Sequence, residues 1–389
     1  MSLKNAVEPG GAATPSVVLG QTKEMSEKTE VGRLSLGQLM FRRFLRNRMA
    51  VMSSVVLICM YLMAIFADFL APYEYNHRSE FDILKAPQTP YFIDEFGKFS
   101  LRPFVYATTP VLDTNTFRYI HKEDTSQKYY IKLFVHGYPY KLLGFIPTDI
   151  HLFGVDEPAK LFIFGTDSNG RDLYSRILAG SRISMTMGLV GVFITIIMGA
   201  SLGTVSGYYG GIVDTLMQRG IELLMSFPTV PLWAALAAIF PQDWSPVQRY
   251  FAISLILSLV GWTGLARQVR AKVLSYREMD FASSAKAIGA TDSRIIFYHM
   301  LPNAFSHIII VATLSIPGMI LTETSLSFLG LGILPPATSW GALLRDAQDV
   351  SVLLNSTWLL IPTIFVIIAV LAFNFVGDGL RDAADPFAI

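Results

Sequence analysis

The chain of 389 residues contains a single cysteine, Cys59, so an internal disulfide and a cysteine metal cluster are both excluded. Charged residues are scarce as well, at 16% against about 25% in soluble domains. The 31 Lys and Arg nearly balance the 30 Asp and Glu, which argues against a large basic face for nucleic acid. A phosphate-binding GxxxxGK(S/T) loop is missing too, since Phe99 follows Gly97-Lys98 and no glycine stands five residues before Gly97. We therefore expect neither an ATP site nor another cofactor in this chain.

Apolar residues are abundant instead, at 52% of the chain, and the mean hydropathy is +0.44. A membrane-spanning helix needs about 20 mainly apolar residues. Six mainly apolar runs meet or approach this length, at residues 49–67, 183–206, 221–240, 250–266, 302–322 and 353–376, and Glu222 in the third is the one Asp, Glu, Lys or Arg among them. Pro228 and Pro231 in the third run and Pro317 in the fifth predict kinks. The composition predicts an all-α membrane protein with six transmembrane helices.

Positive charges flank these runs unequally. Four arginines closely precede the first run and six Lys or Arg lie between the fourth and the fifth, whereas the loops after the third and fifth runs carry one arginine each. Positively charged loops stay in the cytoplasm, so both termini are expected there. Arg171, Arg176 and Arg182 stand on the opposite side of the membrane, and we expect Asp167 and Asp172 to offset their charge.

The chain divides into five parts. Residues 1–32 are polar and are expected to be a disordered cytoplasmic N-terminus. Residues 33–48 are basic and amphipathic, which predicts a helix on the inner membrane face, or equally a cytoplasmic extension of the first transmembrane helix at 49–70. An insert occupies residues 71–160, and a transmembrane core occupies residues 161–389.

The insert at 71–160 is rich in Tyr, Phe, Pro and Asp and is not membrane-like. Residues 129–143 predict two short strands around His136-Gly137, because aromatic and β-branched residues flank a turn signal. We expect a small, β-containing domain outside the cytoplasm. It either contacts another protein or is an insertion with no role of its own.

The stretch 280–303 is polar and rich in small residues, and it lies between two long apolar runs. Ala282, Ala285 and Gly289 fall on one face of a predicted helix over 280–290. A face without bulk allows a partner surface to approach closely. The alternative is an ordinary helix–turn–helix loop.

Capping residues support this prediction. Asp280 is a suitable N-cap for the short helix, and Gly289 suits a left-handed C-cap. Thr291 or Asp292 could cap a second helix, which Pro302 is expected to end.

Charged residues elsewhere are weaker candidates. Glu323 ends the fifth run, and an acid at membrane depth is a functional candidate for the transport pathway, unless it lies at the interface or in a polar helix break. Asp167 and Arg171 precede the second run, in a segment that predicts either a gate contact or an amphipathic helix along the outer membrane surface. In the same segment, Asp172 and Arg176 have the i, i+4 spacing of a helical ion pair.

Three glycines at the end of the second run have a regular spacing, whereas the histidines are scattered. Gly199, Gly203 and Gly207 have GxxxG spacing and predict close helix packing in lipid. The six histidines show no metal-ligand spacing, and no catalytic grouping stands out.

Three segments together resemble the C-type permease subunit of peptide and nickel ABC importers. The stretch 280–303 resembles the coupling motif of these permeases, Glu-Ala-Ala, three residues, Gly, nine residues, Ile, one residue, Leu-Pro. Ser283, Ser284 and His299 depart from that motif. The other two segments are FGTDSNGRDLYSRILAGSRIS at 164–184 and ETSLSFLGLGILPPATSWGALLRDA at 323–347. By this resemblance the ATPase-coupling residues are Ala282, Ser283, Ser284, Ala285, Gly289, Ala290, Leu301 and Pro302.

The resemblance implies an import function and an assembly. The chain would pair with a homologous permease in the bacterial inner membrane, above two subunits that bind ATP and Mg. A periplasmic solute-binding protein would deliver peptides or similar small polar solutes, and no nucleic acid would be involved. The chain itself would not be an enzyme.

The sequence also leaves two other functions open, a secondary transporter and an intramembrane enzyme. A secondary transporter driven by an ion gradient predicts inverted repeats and paired intramembrane charges, and the apolar runs offer almost none of the latter. An intramembrane enzyme predicts a buried catalytic constellation, for which the sequence gives no sign.

Overall fold

The computed structural model describes residues 36–114, 118–241 and 243–384. The expected disordered segment 1–32 lies outside these residues. Within them, five helical segments are long and apolar enough to cross a membrane, namely Arg48–Ile65, Leu173–Tyr209, Pro246–Arg277, Asp292–Phe328 and Thr357–Ala384. A bent pair, Gly211–Met225 and Thr229–Ala238, adds a sixth if it forms one span. The prediction of a helical membrane protein is confirmed.

The described elements follow in chain order. The α-helices are α1 (Leu36–Arg46), α2 (Arg48–Ile65), α3 (Ala67–Leu70), α4 (Leu173–Tyr209), α5 (Gly211–Met225), α6 (Thr229–Ala238), α7 (Pro246–Arg277), α8 (Asp280–Ala287), α9 (Asp292–Arg294), α10 (Leu301–Phe328), α11 (Trp340–Leu343), α12 (Val350–Asn355) and α13 (Ile361–Ala384). A π-helix covers Ile295–Met300, and 3₁₀-helices cover Leu344–Gln348 and Thr357–Leu360. The strands are β1 (Tyr91–Ile93), β2 (Phe99–Asp113), β3 (Arg118–Tyr130), β4 (Lys132–Leu142) and β5 (Ile146–Gly154).

The predicted third span at 221–240 is wrong as a single helix. α5 ends at Met225, α6 begins at Thr229, and the two are bent by 82°. Pro228 explains the break, because its ring disfavours helical backbone at Phe227 and its own ψ of 122° is extended. Residues 223–240 contain no charged residue, but the backbone at Pro228 does not allow one continuous helix through them.

The second span begins earlier than predicted. α4 starts at Leu173 and runs without a break to Tyr209, so the residues before 183 are its first turns and not a helix along the membrane surface. Leu173 and Ile177 are fully buried there. Four of the charged residues of this segment, Asp167, Arg171, Asp172 and Arg176, are buried as well, which removes the need for a water-facing surface.

Two further boundaries differ from prediction. α7 extends well beyond the predicted 250–266, since Ser245 and Gln248 form a capping box at its start and the helix runs on to Arg277. The predicted sixth span at 353–376 is interrupted at Ser356, which leaves the helical region with φ −141° and ψ 57°.

α1 is a separate helix and not an extension of the first span. The side chain of Asn47 accepts a hydrogen bond from the Ala50 backbone N–H at 3.2 Å and so caps α2. α13 packs against both helices, because a Cβ atom on Gly379 would lie 2.3 Å from the Ala50 Cβ and 3.2 Å from Phe44. The last helix therefore closes the bundle on the first.

α4 and α7 pack against each other through the backbone of three glycines. A Cβ at Gly199 would lie 2.9 Å from Leu265, and one at Gly203 would lie 2.5 Å from the carbonyl oxygen of Ala266. At Gly207 the nearest atoms belong to Arg270 and Val273. The GxxxG prediction is confirmed, since all three glycines permit backbone approach to α7.

The insert contains two small antiparallel sheets, β1-β2-β3 and β4-β5. The prediction of two strands around His136-Gly137 is wrong, because both residues lie within the single strand β4, which pairs with β5. The register shifts between His136 and Tyr140, so the turn signal marks an irregularity in one strand.

A buried ion cluster holds the insert together. The carboxylate of Asp82 accepts hydrogen bonds from Lys160 Nζ at 2.7 Å, Lys85 Nζ at 3.3 Å and Ser79 Oγ at 2.5 Å. Lys85 also donates to Thr108 Oγ1 on β2 at 2.7 Å. Asp82 and Lys85 are 6% and 4% exposed, so these charges are paired inside the insert.

Candidate functional site

α8 and the turn after it form the segment that the sequence predicts as the coupling region. Met279 is the N-cap residue, and the predicted cap Asp280 is instead the first residue of the helix. A carboxylate at this position interacts favourably with the helix dipole. Gly289 has φ +83°, which is the left-handed conformation predicted for it. Its N–H donates to the Lys286 carbonyl at 3.0 Å, and the Ala290 N–H donates to the Ala285 carbonyl at 3.0 Å. These bonds end α8 sharply.

The small-residue face of α8 is turned inward. Ala282 and Ala285 are 5% and 6% exposed and pack in one cluster with Val269 of α7 and Met300 of the π-helix. Gly289, the third residue of this face, is exposed, so the prediction that the face receives a partner is wrong for the two alanines only. The alanines instead let α8 lie close to the protein's own bundle, because no long side chain separates the helices.

The exposed side of the segment carries large apolar side chains. Ile288 is 86% exposed, Tyr298 is 75%, Phe297 is 49% and Met279 is 44%. We define the coupling surface as these four residues with the exposed Ser283, Ser284 and Lys286. Large exposed apolar side chains in a segment that also exposes polar ones are typical of a protein docking site.

The predicted coupling residues thus fall into two groups. Ser283 and Ser284 lie on the coupling surface, and Pro302 is also exposed, whereas Ala290 and Leu301 are half-buried. The sequence reasoning missed Ile288 and Tyr298. Their signal was present, since each is a large apolar residue in an otherwise polar loop.

Pro302 does not end a helix, as was predicted, but is the second residue of α10. Proline has no backbone N–H to donate an α-helical hydrogen bond, and it is tolerated in the first turn of a helix. Here that turn directly follows the wider π-helix at Ile295–Met300. Thr291 caps the start of this region, accepting from the Arg294 N–H at 3.4 Å. α9, the π-helix and α10 consequently form one continuous helical segment, Asp292–Phe328.

Hydrogen bonds tie the segment to two membrane helices. Tyr208 near the end of α4 donates to Asp292 at 2.7 Å. Arg277 at the end of α7 donates to the Tyr208 carbonyl at 3.4 Å, and Tyr276 donates to the Asn303 carbonyl at 3.3 Å. These bonds join α4, α7, α9 and α10 beside the coupling surface.

The arginines before the second span are paired, and their partners differ in part from those expected. Arg171 and Arg176 contact the same Asp167 carboxylate at 2.8 and 3.3 Å, and all three side chains are buried. Arg182 pairs with Asp68 at 2.9 Å. The three positive charges are thereby offset, which accounts for their position opposite the Lys- and Arg-rich loops.

Asp172 and Arg176 do not form the predicted ion pair. Asp172 is the N-cap of α4, and its Oδ2 accepts from the Ser175 N–H at 2.8 Å and from Ser175 Oγ at 2.5 Å. Its Oδ1 has no hydrogen-bond partner. The cap geometry places Asp172 before the first turn, while Arg176 turns toward Asp167 and Thr338.

Glu323 is fully buried inside α10 and not at its end, since the helix runs on to Phe328. Its Oε1 accepts from Ser327 Oγ at 2.6 Å, and its Oε2 accepts from Ser184 Oγ of α4 at 3.2 Å. Ser184 in turn accepts from the Trp340 N–H at 3.1 Å. In this conformation the carboxylate links three elements and does not line an open passage.

Two family models match this chain. Residues 191–388 match the binding-protein-dependent transport system inner membrane component, and this range includes the coupling surface. The chain belongs to this family of transport-system permeases. Residues 35–87 match the N-terminal TM domain of oligopeptide transport permease C, so the C-type permease resemblance is confirmed as well.

Curated relatives of this permease carry peptide-transport names. It is 44% identical over 225 residues to the oligopeptide transport system permease protein OppC of Haemophilus influenzae, which covers 57% of this chain and 70% of the relative. It is 40% identical over 242 residues to the dipeptide transport system permease protein DppC of Lactococcus lactis, covering 62% and 68%. A structure of the MetNI methionine ABC transporter in inward-facing form aligns with 18% identity and a TM-score of 0.40, over 52% of this chain and 94% of that one.

The part of the permease that the structure describes offers no group of three or more His, Cys, Asp or Glu side chains placed to hold a metal ion. The family consists of inner-membrane components of transport systems.

Proposed function

We propose that this permease imports peptides or similar small polar solutes across the bacterial inner membrane, driven by ATP hydrolysis in separate subunits. The observation that carries this proposal is the coupling surface, a set of exposed apolar side chains centred on Ile288 within the family-matched region. The peptide-transport names of the relatives support the substrate class. The coupling surface is the docking site for one ATP-binding subunit, which supplies ATP and Mg.

The contacts of the segment suggest how docking moves the bundle. Closure of the ATP-binding subunits displaces Ile288 and its neighbours, and the buried Ala282 and Ala285 prevent α8 from moving independently of α7. The Tyr208–Asp292 bond carries the displacement to α4, and the continuous helix after Asp292 carries it to α10. Such coupling requires a bundle with two states that bind the ATPase differently.

We place both termini and the coupling surface in the cytoplasm and the insert outside it, in the periplasm. In this orientation the insert faces a soluble solute-binding protein, and a homologous permease completes the passage. The excess of Lys and Arg beside the coupling segment supports the placement. The pairing of Arg171, Arg176 and Arg182 removes the charges that opposed it.

We propose structural roles for the remaining candidates. Glu323 fixes α10 against α4 through Ser184, and Asp167 holds Arg171 and Arg176 at the start of α4. These residues shape the passage by positioning helices. Direct contact with the solute is left to residues that the two-permease assembly brings together.

Substituting Ile288 tests the coupling role. Ile288→Asp places a carboxylate in the docking contact, and since about 1.4 kcal/mol corresponds to a tenfold change, we expect at least about a tenfold loss of ATP-dependent uptake. Ile288→Met is the matched control and keeps uptake close to that of the unaltered protein. Both variants should reach the membrane in equal amounts, because the side chain is 86% exposed.

A cross-linking measurement separates docking from transport. In a Cys59→Ala background, Ser284→Cys should cross-link to the ATP-binding subunit of the assembled transporter. Unchanged uptake by Ile288→Asp, or uptake that follows an ion gradient after ATP depletion, would exclude the proposal.

A further inference from the structure

The hairpin of β4 and β5 ends in an apolar tip. Its turn is Leu142-Leu143-Gly144-Phe145, closed by the Phe145 N–H donating to the Leu142 carbonyl at 3.3 Å. Leu143 is 51% exposed, Phe145 is 71% and Ile146 is 43%. Exposing three large apolar side chains at the end of one hairpin would cost free energy in water.

The turn residues themselves are unusual for an aqueous hairpin. Leu143 and Gly144 both have positive φ, at 54° and 84°. Turns with two positive φ values strongly prefer Asn-Gly or Asp-Gly, because a short polar side chain tolerates the left-handed region. A leucine at this position accepts backbone strain in order to present an apolar side chain.

The hairpin lies along the first membrane helix with its tip pointing toward the membrane. His151 of β5 lies 2.9 Å from the Asp68 carbonyl oxygen and 3.0 Å from that of Tyr138. From Tyr138 to Leu142, four strand residues span about 13 Å. From Asp68 back to Cys59 the chain follows α3 and α2 with a break at Phe66, and nine residues at helical rise span at most about 13 Å as well.

The packing agrees with this estimate of depth. Leu142 lines an apolar groove of about 510 Å³ whose other walls are Cys59, Leu62, Met63, Phe66, Phe69 and Leu70. α2 has 18 residues, about 27 Å of helix, which is close to the hydrocarbon thickness of about 30 Å. Cys59 stands six residues before the end of α2, so the groove beside the tip reaches about 9 Å inside the apolar layer.

Charged groups mark the upper boundary of this contact. Lys141 and Arg182 line a second cavity of about 380 Å³ beside Leu143 and Gly144, and Arg182 is bonded to Asp68. Cations beside an apolar tip are suited to the lipid phosphates at the edge of the hydrocarbon layer.

We propose that the β4–β5 tip is inserted into the leaflet at the C-terminal end of α2, with a lipid acyl chain in the groove. In the orientation proposed above this is the outer leaflet. Lipid is favoured over a protein occupant because the groove continues onto the outward face of α2, where Val55, Ile58 and Leu62 are exposed. The inserted tip anchors the insert to the bilayer independently of the coupling surface.

Fluorescence quenching tests the insertion in the assembled transporter in liposomes. In a Cys59→Ala background, Phe145→Cys carries a bimane label, and Leu101→Cys on β2, where the native side chain is 85% exposed, is the matched control. Lipids with brominated acyl chains should quench the label at 145 several-fold more strongly than at 101, and aqueous iodide should show the reverse. Ile146→Cys provides a second site on the tip.

Two results would overturn the insertion. Iodide quenching at 145 equal to that at 101 would place the tip in water. Protection of position 145 from both quenchers would show that a neighbouring subunit covers it. The measurement requires no transport, so its outcome is independent of the proposed function.

Discussion

At the scale of single residues, Asp172 shows how burial sets the chemistry of a cap. The residue is 3% exposed, and its Oδ1 has no hydrogen-bond partner. Burial raises the pKa of Asp172 to about 6, against the hydrogen bonds from Ser175 that favour its charged form. A raised carboxyl pKa stabilises the fold at low pH, fully below the unfolded pKa of 3.8, and this stabilisation is lost as pH rises through about 6.

Asp172→Asn should therefore change stability in a pH-dependent way. Asparagine keeps the capping oxygen but does not titrate. We expect the variant to gain about 1.4 kcal/mol relative to the unaltered protein as pH rises from about 5 to about 7.5, which is roughly half of the ~3 kcal/mol that two pKa units represent over the full pH range. Apparent melting temperatures in detergent at both pH values measure this, and an equal difference at both would contradict the burial argument.

At the scale of elements, the contact of α4 with α7 depends on the absence of side chains. Gly203→Ala places a Cβ 2.5 Å from the Ala266 carbonyl oxygen and 2.9 Å from its Cα, so backbone must move. We expect a loss of about 1–3 kcal/mol, as for other overpacked sites. Thermal unfolding measures the loss.

Gly220→Ala is the matched control. Gly220 also lies within a helix, α5, but no atom lies within 4 Å of a Cβ built there. Its substitution should be neutral or slightly stabilising, since alanine favours the helix. Equal losses for the two variants would mean that glycine flexibility, and not close packing, matters at Gly203.

The insert depends on a different element-scale contact, the Asp82 cluster. Burial opposes ionisation of Asp82, but hydrogen bonds from Lys160 and Ser79 and the charge of Lys85 outweigh it, so the pKa of Asp82 lies below its ordinary value. A lowered carboxyl pKa contributes stability at neutral pH that is lost as pH falls through the folded pKa.

Asp82→Asn should unfold or loosen the insert. It leaves the buried Lys85 ammonium without its carboxylate, for which a loss of about 3 kcal/mol or more is expected. Asp156→Asn removes the exposed pair with Lys132 and should cost at most about 1 kcal/mol. Hydrogen exchange in β2 and β3 reports the difference, and similar protection in both variants would contradict the cluster's role.

At the scale of the whole molecule, the decisive relation is between the coupling surface and the insert, which we place on opposite sides of the membrane. In a Cys59→Ala background, Phe96→Cys should react with a membrane-impermeant maleimide in cells with a permeabilised outer membrane, because the native side chain is 92% exposed. Ser284→Cys should react only in inverted vesicles. Labelling of both from one side would overturn the topology and the docking proposal with it.

Several features followed from the sequence alone. Long charge-free runs can bury their backbone polar groups in lipid only as helices, so the helical membrane class was determined by composition. The left-handed turn at Gly289 and the GxxxG contact were both predicted from glycine, which lacks the Cβ that would forbid either of them. The resemblance of three sequence motifs to C-type permeases was confirmed by the family models.

Only the tertiary structure decided which faces are covered. A small-residue face permits close approach by any neighbour, and the sequence could not tell that Ala282 and Ala285 meet their own chain while Ile288 is exposed. Ion pairing was equally undetermined, because sequence spacing gave Arg176 to Asp172 whereas the fold gave it to Asp167. Burial and pairing depend on which distant segments fold together, and local periodicity carries no record of that.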